Sequence, residues 1–445
     1  MEFVMAKNKV ALISLGCPKN LVNSEQMLYT LAEEGFEIVP EPDEADVAVV
    51  NTCGFIESAK TEAINTIIEM GELKKEGKLT GLVVCGCLSQ RYKDEILTEL
   101  PEIDAVMGTG SYEDIVEAVK CAAKGKQFKS FKDIDAPINE LGRIVSTGPS
   151  WAYLRIAEGC NNRCAFCVIP SIRGKYRSRK MEDIIEEAKA LAQTGVKELI
   201  VVAQDITRYG MDIYGKRCLV ELLKELCKIK SIKWIRLHYL YPDMFDDELI
   251  DLIANEKKIL KYIDIPIQHI NDSILKRMNR RGTGNDIRVL LKKLRDRIPG
   301  LVIRTSIIVG LPGEGEEEFL ELCDFLKEAK LERAGVFTFS PEEGTPAAAM
   351  MDRCSPEEAV KRQEVLMGIQ ADIMDKWGES FVGKTIRVLC EGYDDESGLQ
   401  FGRSYADSPD IDGIVLFSGD CPAGSFANVI IDEVSDGEWY GRQVG

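Results

Sequence analysis

The first third of the chain alternates short apolar runs with longer stretches in which apolar residues recur at helical spacing. Apolar runs span residues 9–15, 47–51 and 82–84, and helical patterns span residues 21–34, 59–70 and 92–100. Continuous apolar strands separated by helices are typical of a parallel sheet that helices cover on both faces. The pattern therefore predicts a doubly wound α/β domain that ends near residue 140, followed by a linker over residues 133–150.

A second α/β region follows, in which strands again alternate with helical patterns. We predict six strands, over residues 152–157, 198–203, 234–238, 263–265, 302–309 and 335–339. Six strand-helix units can close into a partial barrel, and in such sheets the chemistry lies at the carboxyl ends of the strands. A long helix over residues 356–377 then leads to a glycine-rich, β-branched segment over residues 381–439, which predicts a small β-barrel.

Length and composition fit a multidomain protein of a reducing compartment. The chain has 445 residues, whereas a single core supports about 250 to 300 residues. It has fourteen cysteines, no signal peptide and no apolar stretch of about 18 residues, so we expect a cytoplasmic protein with no membrane contact, whose cysteines serve metal binding or catalysis.

The net charge of −18 disfavours a general nucleic-acid binder and is compatible with a basic partner.

Three closely spaced cysteines, Cys160, Cys164 and Cys167, follow the first strand of the second region. An iron-sulfur cluster normally takes four cysteines, so a set of three leaves one iron with an open position where chemistry can occur. A structural zinc site usually takes four ligands, and no fourth Cys or His lies nearby in the sequence. We therefore favour a catalytic iron-sulfur cluster over the two alternatives, a zinc site and unpaired core thiols.

Three further cysteines, Cys17, Cys53 and Cys87, each follow one of the three leading strands of the first region. Because the carboxyl ends of parallel strands meet at one edge of a sheet, we expect these cysteines to converge at the usual ligand crevice. Cys85 lies inside the apolar run and is expected to point into the core, so we predict Cys87 as the third ligand. The alternative is that all of them are small hydrophobic core residues.

The spacing Cys-x-x-x-Cys-x-x-Cys, with the aromatic Phe166 before the last cysteine, resembles the radical S-adenosylmethionine (SAM) superfamily. Together with the strand-end cysteines and the terminal barrel, the whole chain is similar to the methylthiotransferase family of that superfamily. The resemblance implies a flavodoxin-like domain over residues 1–140, a partial (β/α)6 radical SAM barrel over residues 146–375 and a TRAM β-barrel over residues 376–445. It also implies two 4Fe-4S clusters, one on each set of three cysteines, with SAM as a further cofactor.

The resemblance further implies a division of labour between the two clusters. The cluster in the second region would cleave SAM reductively to a radical that abstracts hydrogen, and the other would hold the sulfur that a separate SAM methylates. An electron donor such as flavodoxin or ferredoxin and a sulfur donor are implied as partners. The superfamily pattern implies that SAM is contacted by Phe166, Gln204, Asp205, Gly310 and Glu314.

Short sequence motifs distinguish two branches of the family, one that modifies a tRNA adenosine and one that modifies an aspartate of small-subunit ribosomal protein twelve. Residues 169–179 read Ile-Pro-Ser-Ile-Arg-Gly-Lys-Tyr-Arg-Ser-Arg, which resembles the second branch, whereas the tRNA branch has Pro-Tyr-Thr-Arg-Gly there. Residues 203–210 and 237–242 point the same way, although Ile206 stands where that branch commonly has threonine. The resemblance implies transfer of a methylthio group to the aspartate β-carbon, with tRNA adenosine as the alternative substrate.

The charge of the last barrel favours the ribosomal protein as substrate, and this argument does not depend on the family resemblance. Residues 376–445 carry 13 acidic and 5 basic side chains, a net charge of −8. Binding of nucleic acid depends on Lys and Arg that neutralise phosphates, so this segment suits a Lys/Arg-rich ribosomal protein better than tRNA; a solvated surface with no partner is the alternative.

A basic run follows the second cysteine set. It either contacts a carboxylate of the substrate or of SAM, contacts ribosomal RNA, or is a solvated face. Its members are Arg173, Lys175, Arg177, Arg179 and Lys180.

Overall fold

The computed structural model describes residues 8–138, 142–435 and 437–445, so residues 139–141 of the predicted linker lie outside the described part. Backbone contacts divide the chain into two compact units. Unit 1 consists of Met1–Ser146, Ala157–Arg177 and Glu342–Thr345. Unit 2 consists of Thr147–Ile156, Ser178–Pro341 and Pro346–Gly445.

The core of unit 1 is a six-stranded sheet in which every neighbouring pair of strands is parallel. Its elements are β1 (Lys9–Ser14), α1 (Pro18–Glu33), β2 (Glu37–Ile38), β3 (Val47–Thr52), α2 (Glu57–Lys75), β4 (Gly81–Gly86), α3 (Cys87–Tyr92), α4 (Asp94–Glu99), β5 (Ala105–Met107), α5 (Ile115–Ala122) and β6 (Phe128–Ser130). The strand order is β2-β1-β3-β4-β5-β6, the flavodoxin-like order with one strand added at the end. The predicted doubly wound domain is confirmed.

Both faces of this sheet are buried, because successive residues of its strands enter two different cores. Val50 and Val84 belong to the cluster on one face, and Val49 and Val83 belong to the cluster on the other. Cys85 lies in the same cluster as Val83. This burial on both faces explains why the strands read as continuous apolar runs in the sequence.

The chain enters unit 2 with β7 (Trp151–Arg155), returns to unit 1 with β8 (Ala157–Glu158) and α6 (Ile169–Arg173), and resumes unit 2 within β9 (Arg177–Ser178). The elements that follow are α7 (Met181–Gln193), β10 (Glu198–Val202), α8 (Leu219–Cys227), β11 (Trp234–Leu237), α9 (Asp247–Asn255), β12 (Ile259–Asp264), α10 (Asp272–Arg277), α11 (Gly284–Arg297), β13 (Val302–Val309), α12 (Glu316–Ala329), β14 (Arg333–Thr338) and α13 (Pro356–Glu379).

The large sheet of unit 2 has the order β14-β13-β12-β11-β10-β7, with every neighbouring pair parallel. Each strand therefore pairs with the next one along the chain, as expected for consecutive strand-helix units of a partial barrel. The predicted architecture is confirmed, although β12 begins at Ile259 and not near residue 263.

A closed five-stranded barrel ends the chain. Its strands are β15 (Thr385–Asp394), β16 (Leu399–Arg403), β17 (Val415–Ser418), β18 (Phe426–Ser435) and β19 (Glu438–Val444). Val388, Phe417, Val429 and Trp439 are buried in its core. The predicted terminal β-barrel is thus confirmed.

Short 3-10 helices complete the secondary structure of the described residues, at Pro42–Glu44, Tyr112–Asp114, Ile206–Arg208, Pro242–Met244 and Ala347–Ala349. Within the described ranges, no helix combines the length and the hydropathy that a membrane span needs.

A buried network of charged side chains joins the large sheet of unit 2 to the terminal barrel. Glu198, at the start of β10, accepts a hydrogen bond from Arg236 Nε at 2.7 Å and pairs with Arg403 Nη2 at 2.8 Å. Arg403 also pairs with Glu391 at 2.6 Å. Burial raises the pKa of Glu198, but the two arginines lower it by more, so this pKa lies below its ordinary value. The carboxylate is therefore charged and holds two cations that sit on different elements.

Candidate cluster sites

The first candidate site, which we term the auxiliary site, consists of Cys17, Cys53 and Cys87 in unit 1. Cys17 follows β1, Cys53 follows β3, and Cys87 is the first residue of α3 directly after β4. These three strands are adjacent and parallel, so their carboxyl ends share one edge of the sheet. The strand order changes direction between β1 and β3, which is where ligands bind in folds of this kind.

Two glycines allow the loops of the auxiliary site to touch one another. Gly16 has a φ of +87°, and a Cβ at this position would lie 2.6 Å from the Cβ of Cys53. A Cβ at Gly54 would lie 2.9 Å from the backbone nitrogen of Leu88 and 3.1 Å from the carbonyl carbon of Cys87. Each glycine neighbours one cysteine of the site and packs against the loop of another, so a larger side chain would push the loops apart.

The thiols of the auxiliary site influence one another's protonation. Burial, together with Cys87 and Cys17 nearby, raises the pKa of Cys53 to about 12. Burial also raises the pKa of Cys87, and Arg173 offsets only part of this. The pKa of Cys17 is raised by burial but lowered by more through Lys19 and Arg173, so it falls below the ordinary value. Metal binding requires all three thiolates and would therefore release protons from the site.

Cys85 lies in the hydrophobic core of unit 1. Its side chain is fully buried, and its Sγ is 3.9 Å from the Sδ of Met27 on α1. Burial raises the pKa of this thiol well above the ordinary value. Cys87 stays the predicted third ligand of the auxiliary site, because Cys85 faces core side chains and is a poor thiolate donor.

The second candidate site, which we term the radical site, consists of Cys160, Cys164 and Cys167 on the loop between β8 and α6. All three thiols are partly exposed. The backbone N–H of Cys167 donates to the carbonyl of Cys164 at 3.1 Å, and the N–H of Asn162 donates to the Sγ of Cys160 at 3.4 Å. One continuous loop with its own hydrogen bonds thus carries the whole set, and the partly exposed Phe166 lies within it.

The two ends of this loop are fastened to each other. The N–H of Cys160 donates to the carbonyl of Gly174 at 3.1 Å, and the N–H of Tyr176 donates to the side chain of Asn161 at 3.1 Å. Gly159 has a φ of +76°, and a Cβ there would lie only 2.1 Å from the carbonyl oxygen of Lys175. The backbone segments before and after the cysteine loop therefore lie directly against each other and hold the ends of the loop together.

The donor chemistry of both sites suits iron-sulfur clusters. Each set offers three thiols, the ligand type that holds such clusters. Among the residues that the structure describes, no three His, Cys, Asp or Glu side chains converge tightly enough to hold a single metal ion.

Two of the predicted SAM contacts, Gln204 and Asp205, follow β10 at its carboxyl end in unit 2. Asp205 is buried, and its carboxylate accepts hydrogen bonds from the N–H of Thr207 at 3.0 Å and from Arg208 Nε at 3.0 Å. These bonds make Asp205 the cap of the short helix that follows. Its contact with SAM, and those of Gln204 and Phe166, stay predictions.

The other two predicted SAM contacts belong to the turn after β13 in unit 2. Gly310 begins this turn with a φ of +75°. The buried carboxylate of Glu314 accepts hydrogen bonds from the N–H of Gly310 at 2.9 Å and from Arg362 Nη1 at 2.8 Å. Burial raises the pKa of Glu314, but hydrogen bonds from His269, Gly310 and Arg362 lower it below the ordinary value. Glu314 thus fastens the turn, and direct contact with SAM stays a prediction for both residues.

The basic run after the radical site does not form one continuous surface. Arg173 and Arg179 are only 2% and 4% exposed. Lys175 is exposed, and with Arg177 it lies 3.7 Å from the carboxylate of Asp135. Only part of the basic run therefore forms a solvent-exposed surface.

Sequence reasoning missed three polar residues that meet at the auxiliary site. Arg173 Nε and Nη2 lie 3.4 and 3.3 Å from the Sγ of Cys87, and this guanidinium also binds Asn20 and Asn23. Both asparagines are buried on α1. Their three-residue spacing, which puts two buried amides on one helix face directly after Cys17, is the signal that points to them.

Comparison with known families agrees with the three parts of the fold. A family described as the radical SAM superfamily matches residues 154–326. A family described as uncharacterized protein family UPF0004 matches residues 9–108, and the TRAM domain matches residues 382–444.

Solved structures share the fold at low sequence identity. The radical SAM methyltransferase TsrM from Kitasatospora setae aligns with a TM-score of 0.57 and 14% identity, over 83% of this chain and 90% of that one. The cobalamin-dependent SAM radical enzyme OxsB aligns with a TM-score of 0.50 and 12% identity, over 82% of this chain and 56% of that one.

Curated relatives match over nearly the whole chain. The ribosomal protein uS12 methylthiotransferase RimO of Lachnoclostridium phytofermentans is 48% identical over 437 residues, which are 97% of this chain and 99% of the relative. The protein of the same name from Caldanaerobacter subterraneus is 51% identical over 437 residues, with the same shares. The chain therefore belongs to the family of ribosomal protein uS12 methylthiotransferases, a family of radical SAM enzymes.

Proposed function

We propose that this chain transfers a methylthio group to the β-carbon of an aspartate in ribosomal protein uS12, the small-subunit protein twelve. The observation that carries the proposal is the match over 97% of the chain to relatives named as uS12 methylthiotransferases. Two three-cysteine sites within unit 1 support it. A radical cofactor suits this reaction, because no side-chain base removes a proton from an unactivated carbon at neutral pH.

The two sites have separate roles in this proposal. When bound, the two 4Fe-4S clusters and SAM would supply an electron, a carbon radical, a sulfur atom and a methyl group. The three thiolates of the radical site leave one iron open for SAM, and those of the auxiliary site leave one iron open for sulfur. The two sets of thiols lie on different backbone segments of unit 1, so each set can bind its own cluster.

The surface charge of the terminal barrel supports a basic protein substrate over tRNA. Arg403 is 1% exposed and binds Glu198 and Glu391, so it presents no charge to a phosphate. Among the described residues of the barrel, the exposed acidic side chains are those of Asp395, Glu396, Asp410, Asp420, Asp432 and Glu433. A surface with these carboxylates repels an RNA backbone and attracts Lys and Arg side chains.

Electrons and sulfur must come from other proteins in this proposal. We propose a flavodoxin or ferredoxin as the electron donor and a separate sulfur donor for the auxiliary site. The reaction takes place in the cytoplasm, where uS12 is synthesised and joins the ribosome.

The iron content of single-cysteine variants tests the ligand assignment. Protein reconstituted without oxygen should hold about eight irons per chain, because each three-cysteine set binds one 4Fe-4S cluster. Cys87→Ala should retain about four irons, whereas the matched Cys85→Ala variant should retain all of them, since Cys85 lies in the core. Iron and sulfide analysis measures both. The opposite pattern would move the third ligand by two residues.

Mass spectrometry of the substrate tests the proposed reaction. With SAM, reductant and sulfide, purified uS12 should gain about 46 mass units, the difference between a hydrogen and a methylthio group. A uS12 variant with asparagine in place of the target aspartate is the control and should gain nothing. Modification of a tRNA adenosine in a parallel reaction, with unmodified uS12, would assign the chain to the tRNA branch.

A further inference from the structure

The guanidinium of Arg173, the last residue of α6, sits directly against the auxiliary site. Its Nε and Nη2 lie 3.4 and 3.3 Å from the Sγ of Cys87. Nη2 also donates to Asn20 Oδ1 at 2.9 Å, and Nη1 donates to Asn23 Oδ1 at 2.8 Å. The side chain is 2% exposed. One guanidinium thus binds a thiol of the site on one edge and two amides on the others.

The charge of Arg173 is paired with one buried carboxylate. Glu158, itself buried, lies 3.4 Å from Nη1. A buried cation is costly unless anions and acceptors surround it. The thiolate that Cys87 becomes on binding iron is a further anion in contact with this cation. The guanidinium therefore favours a filled auxiliary site over an empty one.

The position of Arg173 is fixed by residues that also shape the edge of the sheet. Asn20 accepts from Arg173 and, through its own Nδ2, donates to the carbonyl of Leu15 at 2.7 Å and to that of Asn51 at 3.1 Å. Asn51 in turn donates to Ser24 Oγ at 2.8 Å. The same network that sets the ends of β1 and β3 thus aims the guanidinium at Cys87.

From this geometry we propose that Arg173 is the positioning residue of the auxiliary cluster: it donates hydrogen bonds to the sulfur of Cys87, raises the reduction potential of the cluster and slows loss of its iron. Hydrogen bonds to ligand sulfurs and nearby positive charge both set the potential of an iron-sulfur cluster. Partners of this kind also orient the ligand and tighten metal binding. The inference rests on the proposed auxiliary cluster.

The planar fork of arginine is required for this role. Arginine donates from several nitrogens in fixed directions, whereas lysine donates from one point. A lysine at this position would keep the positive charge but could not bind Cys87 and both asparagines at once. Arg173→Lys should therefore show a smaller effect than Arg173→Met, in the same direction.

The test uses full-length protein in which the radical-site cysteines are changed to alanine, so that the auxiliary cluster is observed alone. In a redox titration followed by electron paramagnetic resonance, Arg173→Met should lower the ratio of reduced to oxidised cluster about tenfold at a fixed potential, a shift of about 59 mV for one electron. A chelator should remove its iron about 10- to 100-fold more readily. Lys175→Met removes an equal charge from the exposed part of the same loop and should change neither quantity.

Each outcome decides the inference. An unchanged potential and unchanged iron loss in Arg173→Met would overturn it, even if the apoprotein unfolds at a lower temperature, because that result shows a structural role only. If Arg173→Met fails to fold, Arg173→Lys, which keeps the buried charge, carries the same comparison. If the protein without the radical-site cysteines does not hold about four irons, the assignment of the auxiliary cluster is wrong, and so is the inference that rests on it.

Discussion

Replacing Cys17, Cys53 and Cys87 together with alanine is expected to abolish the methylthio product while the reduced protein still cleaves SAM to 5'-deoxyadenosine. The radical site is carried by one continuous loop whose own backbone bonds, such as that from Cys167 to Cys164, do not involve the auxiliary cysteines. The converse triple variant at the radical site should lose SAM cleavage altogether, since the proposal contains no other iron that binds SAM for reduction. Chromatography of the nucleoside and the mass of uS12, taken from one reaction, measure both effects.

The matched control for these triple variants is Cys121→Ala. Cys121 lies on α5 and is only partly buried, and its loss should alter neither cleavage nor product. Loss of SAM cleavage in the auxiliary-site variant would contradict the division of labour. That result would show that the two cysteine sets act as one functional unit.

The largest expected effect on stability comes from Glu198→Ala. The substitution leaves Arg236 and Arg403 without their shared carboxylate in a fully buried position. Breaking a buried ion pair by removal of one partner costs about 3–5 kcal/mol. All four tryptophans, Trp151, Trp234, Trp377 and Trp439, belong to unit 2. Tryptophan fluorescence during urea unfolding therefore reports this unit alone, and its transition should move to a clearly lower urea concentration.

An exposed ion pair of the same unit provides the comparison. Glu225 pairs with Lys228 at 2.6 Å on the surface, and Glu225→Ala should change the free energy of unfolding by about 0–1 kcal/mol. An equal effect of the two substitutions would show that the buried network does not stabilise unit 2.

The pH dependence of the Glu198→Ala effect follows from the low pKa of Glu198. Its pKa in the folded protein lies below the ordinary value of 4.5. The carboxylate therefore stabilises the fold fully above the unfolded pKa, and this contribution is lost as the pH falls through the folded pKa. The difference between wild type and Glu198→Ala should be largest at neutral pH and shrink in acid, as urea titrations at several pH values would show.

The sequence predicts the two sheets well because their strands are continuous apolar runs between amphipathic helices. It misses β2, β5 and β6, because strands of two or three residues are too short to show a periodic pattern of apolar positions. A helix is predicted over residues 92–100, but the chain forms two short helices that meet at Lys93, whose φ is +46°. Such a break depends on the tertiary environment of one residue, because nothing in the local sequence favours a positive φ there.

The cysteine sites are predictable because a general rule connects them to the fold. Strand ends of a parallel sheet converge, so Cys17, Cys53 and Cys87 can be grouped without knowledge of any distance. Arg173 follows no such rule. In the sequence it looks like any member of a basic run, and its contact with Cys87 spans 86 positions along the chain. Only the folded structure shows which arginine of the run contacts Cys87.

Unit 1 is assembled from three separate stretches of chain, and this imposes an order on its synthesis. The ribosome completes the six strands of the sheet before Arg173 has been translated, and Glu342, which pairs with Lys60 at 3.1 Å, is added far later still. The thiols of the auxiliary site thus emerge first, and Arg173, which contacts Cys87, emerges later. Maturation of this site is therefore a late event, and a nascent chain that ends at Ser146 presents Cys87 without its guanidinium.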